Sequence, residues 1–185
     1  MRLFVLAICF LLLSSGNLFA KTVYDINLPD TVTIDGENLQ LNGYGLRKKF
    51  FFKIYLGSLY TREKATTTEQ VLAMPGAKLI RMNFIHKKVE REKITQAFVA
   101  GFANNSPQLI DSPKLEEFIN LFNEDFFAGD QVDLELAADG TVSVRQNSEI
   151  LGKVTSTPLV KAVLLIYLGN SPADTNLKQG MLGGN

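Results

Sequence analysis

The sequence predicts an α+β fold, an antiparallel β-sheet with helices layered on one face. Three observations carry that expectation. Strand-like segments crowd the N-terminal third, a strand pair around Asp139-Gly140 comes late, and segments with helical spacing lie between and after them. That order fits one antiparallel sheet covered by helices.

The chain opens with one basic residue, Arg2, an apolar run from Leu3 to Leu13, and small and polar residues ending at Ala20. This is the layout of a secretory leader. The run is about half of the roughly 20 residues that a spanning helix needs, so residues 1–20 are expected to be removed rather than to form a stable membrane anchor. Leu18, third from the expected cleavage site, is bulkier than the small residue preferred there, and bulky Ile8 argues against lipidation at Cys9. The expectation is a periplasmic or secreted protein with a single domain over residues 21–185. Cys9 is the only cysteine, so the mature chain would have no disulfide, thiol nucleophile or cysteine–metal site. Nineteen basic residues balance nineteen acidic ones. The net charge therefore gives no electrostatic case for nucleic acid or an anionic membrane surface.

Val23, Ile26, Leu28, Val32 and Ile34 fall in short strand-like pieces broken by Pro29-Asp30 and Asp35-Gly36, both turn signals. A long aromatic-rich segment, Leu39–Tyr60, follows and reads as strand. Thr67–Met74 is expected to be a short helix stopping before Pro75-Gly76, and Lys78–Ile85 alternates like a strand. Within Glu90–Asn105, Ile94, Ala97, Phe98, Gly101 and Phe102 take the spacing of an amphipathic helix. Ser112 then Pro113 form a helix start, with Leu115, Phe118, Ile119, Phe122 and Phe126 expected on one face. Val132, Leu134 and Leu136 alternate up to Asp139-Gly140, and Val142 and Val144 alternate away, as a β-hairpin. Thr157-Pro158 opens a last long helix that Gly169 closes. Being apolar nearly all round, that helix should be buried on most sides.

Chemistry-bearing motifs are few. His86 is the only histidine, so no multi-histidine metal site exists, and it is expected as a strand-end residue. There is no G-x-S-x-G elbow and no glycine-rich phosphate loop. The cluster Arg47-Lys48-Lys49 with Lys53 is the main candidate for an anion site. The lysines read as solvated residues of an edge or turn. Arg47 stands within the apolar run, where its guanidinium needs a carboxylate or phosphate partner. Glu90, Glu92 or an anionic ligand would serve, and the chemistry leaves the choice open. Gly43 and Gly45 just before it allow close approach of a backbone or a ligand. On a straight strand Arg47 shares a side with Phe51 and Tyr55, but lies roughly 26 Å from Tyr55. Phe50-Phe51-Phe52 offers no residue that favours the sharp turn needed to bring them together.

The segments LNGYGLR, FFKIYLGSLY, Lys78–Asn105 and TPLVKAVLLIYLGNSP together resemble the chalcone isomerase-like family, including its bacterial exported members and its plant fatty-acid-binding branch. The resemblance implies the α+β architecture expected above. In the enzymes of that family an arginine after a G-x-G-like turn helps to hold a flavonoid, and Arg47 matches it. In the fatty-acid-binding relatives the same arginine and the tyrosine of a K-x-Y motif hold a carboxylate. Lys53-Ile54-Tyr55 matches that motif, whereas the isomerases carry threonine at the position of Tyr55. Where the isomerases place a tyrosine and an asparagine near a helix start, this chain has Glu90 and Ala97. Alanine donates no hydrogen bond, and a carboxylate repels a phenolate, so chalcone cyclisation is not expected.

The resulting expectation is a non-catalytic binding protein for an apolar carboxylate such as a fatty acid, with Arg47 and Tyr55 as ligand-binding residues. No catalytic residue, metal or cofactor is assigned. One alternative is an isomerase or intramolecular lyase of unknown substrate, drawing a proton-transfer group from Tyr44, Tyr55, Tyr60, His86 and Glu90. Another is a partner-binding protein without a small ligand.

Overall fold

The computed structural model describes residues 20–184, so the expected leader with Cys9 lies outside the described residues except for Ala20. Two short strands, β1 (Ala20–Val23) and β2 (Ile26–Pro29), form a separate hairpin. They are followed by β3 (Thr31–Ile34), β4 (Glu37–Lys49) and β5 (Phe52–Thr61). Next come α1 (Thr68–Ala73), β6 (Lys78–Phe84), the two-residue β7 (Lys88–Val89) and α2 (Arg91–Asn105). After a 3₁₀ turn at Pro107–Leu109 come α3 (Pro113–Asn120), the two-residue β8 (Phe126–Phe127), β9 (Gln131–Leu136), β10 (Thr141–Gln146) and β11 (Glu149–Thr155). The chain finishes with α4 (Thr157–Leu168) and α5 (Thr175–Met181).

The main sheet has seven antiparallel strands in the order β11-β10-β9-β6-β5-β4-β3. The jump from β6 to β9 is where α2 and α3 leave and return. On the helical face Tyr55, Leu59, Ile80, Met82, Phe84, Leu134 and Val142 pack with Ile94, Phe98, Phe118 and the buried residues of α4. The opposite face carries a smaller cluster of Leu39, Leu41, Leu56, Tyr60 and Leu79, packed with Leu28 of the β1–β2 hairpin. Ser112 caps α3 as the sequence suggests; Thr67 caps α1 in a capping box with Gln70, and Ser156, one residue before Thr157-Pro158, accepts from the first turn of α4.

Three expectations are corrected. First, Leu39–Tyr60 is not one run of strand. The chain reverses at Phe50-Phe51, with Phe50 at φ 53°, the left-handed conformation for which hairpin turns favour glycine or asparagine. Second, α3 stops at Asn120, so Phe122 and Phe126 lie beyond it; both are fully buried nonetheless. Phe126 stacks on Phe84 with ring centroids 4.7 Å apart, and Phe122 packs against Phe98 and Phe118. Third, the hairpin expected around Asp139-Gly140 gains β11, and a helix, α5, follows Gly169.

That last helix explains the glycines ahead of Arg47. Gly43, Gly45 and Gly57 share the helical face of β4 and β5, and α5 lies directly on them. A Cβ on Gly43 would run into the carbonyl of Gly180, and one on Gly45 would stand 2.7 Å from Leu177 Cα. Gly180 is under the same constraint, because a Cβ there would collide with the Tyr44 carbonyl. Asn42, buried at a register shift in β4, ties the far end of the seat by donating to the carbonyls of Ala65 and Met181. The glycines admit a backbone here.

Gly45→Ala is therefore expected to push α5 off its seat at a cost of about 1–3 kcal/mol, as overpacking does. Urea unfolding should show a lower midpoint with an unchanged slope. An unchanged midpoint would mean that the contact yields freely.

Candidate functional site

The same hairpin turn that breaks the long strand creates the site. In the β4–β5 register Arg47 stands directly opposite Tyr55. The expected separation of roughly 26 Å on a straight strand gives way to cross-strand adjacency, with both residues on one face. They lie just past the N-terminal end of α5, whose cap Asp174 accepts from Asn176 N, Leu177 N and Lys48 N. Lys48 N is the next backbone amide after Arg47, so α5 also fixes the strand at the site.

Arg47 and Tyr55 sit in a cleft of about 650 Å³ bounded by β5, β6, α2 and α4. That volume falls within the range usual for small-ligand pockets, about 300–1,000 Å³. The walls are largely apolar: Ile54, Met82, Val89, Ile94, Ala97, Phe98 and Ile166 contribute. Polar groups gather towards the opening, where Lys49, His86, Lys88, Glu90 and Lys93 lie. Gly101 lets α2 and α4 approach, since a Cβ there would stand 2.9 Å from Ile166 Cγ2.

Arg47 is half-buried. Among the described residues it has no ion pair: Glu92 pairs with Arg91, and Glu90 makes no salt bridge. Neither Glu90 nor Glu92, the carboxylates open to Arg47 on sequence grounds, pairs with it. Its charge acts instead on two phenols, Tyr55 and Tyr167. Burial pushes the Tyr55 hydroxyl up to about 12, with Arg47 and a hydrogen bond to Tyr167 pulling the other way and Asp174 adding to the rise. Tyr167 is raised well above the ordinary phenol value, first by burial and then by Tyr55. Both are therefore neutral hydrogen-bonding groups at neutral pH. The Tyr167 hydroxyl also donates to Met82 Sδ at 3.2 Å. A guanidinium beside two neutral hydroxyls, at the end of an apolar cleft, can hold a carboxylate by charge-assisted hydrogen bonds.

Tyr167 was not singled out from sequence. The available signal was the lone hydroxyl in the run Leu159–Leu168, which is apolar apart from Lys161, since a buried tyrosine hydroxyl requires a partner. Of the five proton-transfer candidates, Tyr55, His86 and Glu90 line the cleft. Tyr44 and Tyr60 belong to the opposite face, where Tyr60 lies under the Arg81 guanidinium and is itself raised to about 12 by burial. Glu90 caps α2 without a side-chain capping bond, and Ala97 is a small wall residue. The two departures from the isomerase pattern thus both fall in this cleft. Among the described residues no group of three His, Cys, Asp or Glu side chains is placed to hold a metal, and no helix is long and apolar enough to cross a membrane.

A second hollow of about 440 Å³ lies by Lys21, Asp30, Asn42 and Lys64. Two of its polar groups are already engaged: Lys64 Nζ donates to the Leu41 carbonyl, and Asn42 bridges Ala65 and Met181. It lacks the apolar walls of the first cleft.

The profile of the chalcone isomerase-like family matches residues 20–183, and the chain belongs to that family. A crystal structure of a fatty-acid-binding protein from Arabidopsis thaliana superposes with a TM-score of 0.69 at 17% identity, over 90% of this chain and 97% of that one. At that identity the likeness is one of fold. No protein of curated function is detectably similar in sequence.

The buried phenols carry a pH signature. Tyr55 and Tyr60 are raised from about 10 to about 12, so between those values the native state holds protons that the unfolded chain has shed. Their stabilising effect is complete below about pH 10 and is lost as pH rises towards 12. The native protein at about pH 11 should show less phenolate absorbance than the urea-unfolded chain, and its urea midpoint should fall across the window. Full phenolate absorbance with the fold intact at about pH 11 would contradict the burial of these hydroxyls.

Proposed function

We propose that this is an exported, non-catalytic binding protein that holds an apolar carboxylate, of the fatty-acid class, in the cleft between the β5–β6 face and helices α2 and α4. Arg47 and the Tyr55 hydroxyl take the carboxylate, Tyr167 supports Tyr55, and the apolar walls take the hydrocarbon. The single observation that carries this reading is the half-buried Arg47, without a protein carboxylate, beside two neutral phenols at the end of an apolar cleft. The fold likeness to a plant fatty-acid-binding protein supports it. Glu90 and Ala97 argue against cyclisation of a phenolate substrate in the same space. Export rests on the leader-like layout of residues 1–20.

Calorimetric titration of a long-chain fatty acid into wild type, Arg47→Ala and Lys48→Ala tests the proposal. Losing the charged partner of a desolvated carboxylate should cost about 2 kcal/mol or more, roughly a 30-fold weaker affinity. Lys48 is exposed, so its variant should bind like wild type. Equal affinities in all three would remove the anchor and with it the proposal.

A further inference from the structure

The turn that brings Arg47 to Tyr55 is built from the least expected residues. Phe50, Phe51 and Phe52 are 82%, 98% and 58% exposed. Three consecutive phenylalanines at the tip of a projecting hairpin leave a large apolar surface in water, and Phe50 occupies a left-handed position that asparagine or glycine would fill more easily. The residues around the tip are basic. Between residues 47 and 53 there are four cations, Arg47, Lys48, Lys49 and Lys53, and no carboxylate. His86 in the adjoining loop meets Phe52 edge-on with ring centroids 5.4 Å apart, and exposed Lys87 and Lys88, the latter opening β7, follow it. Beside the tip, the turn at Tyr24 presents another half-exposed aromatic ring, with Lys53 Nζ 4.3 Å from its centroid. Of the four carboxylates nearby, two are engaged. Asp174 caps α5, and Asp125 pairs with Lys88. Asp25 shares the Tyr24 turn, and Glu90 lies at the cleft opening.

We propose that the β4–β5 hairpin tip docks this protein, peripherally and reversibly, onto an anionic lipid bilayer, with Phe50, Phe51 and Phe52 entering the headgroup layer. Phenylalanine rings bury at the boundary of headgroups and acyl chains, while lysines lay their stems along it and reach phosphates with their ammonium groups. A ring of cations around an apolar wedge is the complement of an anionic interface. The balanced net charge of the chain is an average that conceals this concentration of positive charge. A two-residue turn is too small to bury the roughly 1,000 Å² that a specific protein interface requires, whereas a bilayer demands no matching groove. Lys49 and His86 belong both to this rim and to the cleft opening, so docking would turn the opening towards the lipid. The inference stands on the hairpin, whatever fills the cleft.

The chain has no tryptophan, so Phe51→Trp gives a single reporter, and Ile150→Trp, on the edge strand β11, gives a control at a half-exposed site far along the sheet order. Vesicles of equimolar phosphatidylcholine and phosphatidylglycerol should shift the emission of the first to the blue and leave the second unchanged. In flotation with the same vesicles, the double variant Phe50→Asn/Phe51→Ser should bind about tenfold or more weakly than wild type, and vesicles of phosphatidylcholine alone should bind wild type more weakly too. Asparagine suits the left-handed turn, so circular dichroism should show this variant folded. Absence of a blue shift in Phe51→Trp, or flotation of the double variant equal to wild type, would overturn the proposal. Concentration-dependent self-association without lipid, abolished in the double variant, would also overturn it and make the tip a contact between copies.

Discussion

The register of the β4–β5 hairpin is the constraint on which the site depends. Side chains alternate faces along a strand, so a slip of one residue would carry Arg47 to the opposite face, beside the Leu56 and Tyr60 cluster, and away from Tyr55. Three features hold the register. The Phe50-Phe51 turn fixes the pairing of Lys49 with Phe52, irregularities next to Asn42 and Arg47 adjust the pleat, and α5 bears on the glycines between them. Because α5 tolerates no Cβ at Gly43 or Gly45, and its cap Asp174 accepts from Lys48 N, strand and helix position one another. The site adjoins the N-terminal end of α5.

Much of the fold was legible because its signals are local. Ser112-Pro113 and Thr157-Pro158 mark helix starts, Asp139-Gly140 marks a hairpin, and the apolar run of α4 announces a buried helix. What escaped depends on contacts distant in sequence. The α5 segment contains Gly180, a poor helix residue required there by the approach of Tyr44, and only the fold reveals that requirement. Of β11 only Val154 is buried, so an edge strand left little alternation to read. The candidate site was half legible. Arg47 and Tyr55 were named, but the turn between them uses phenylalanine where turn residues are usual, so their adjacency could not be read from the sequence. Tyr167 joins them from the far end of the chain.

Arginine in a half-buried position without an ion pair is an incomplete arrangement, since desolvating a charge is costly unless partners compensate. Here its charge bears on the hydroxyls of Tyr55 and Tyr167, which burial holds in the neutral form. These groups can complement an anion and offer it no repulsion. The apolar walls from α2, α4 and β6 lower the local polarity and strengthen that complementarity. The turn that creates the adjacency is itself costly, through the left-handed Phe50.

The central claim is that this register makes Arg47 and Tyr55 one head-group site. A double-mutant cycle with Arg47→Lys, Tyr55→Phe and the pair, read as the dissociation constant of a long-chain fatty acid, tests it most directly. Two residues gripping the same carboxylate should be coupled by about 1 kcal/mol or more. Effects that add within about 0.5 kcal/mol would show that the two act independently, and would contradict the account.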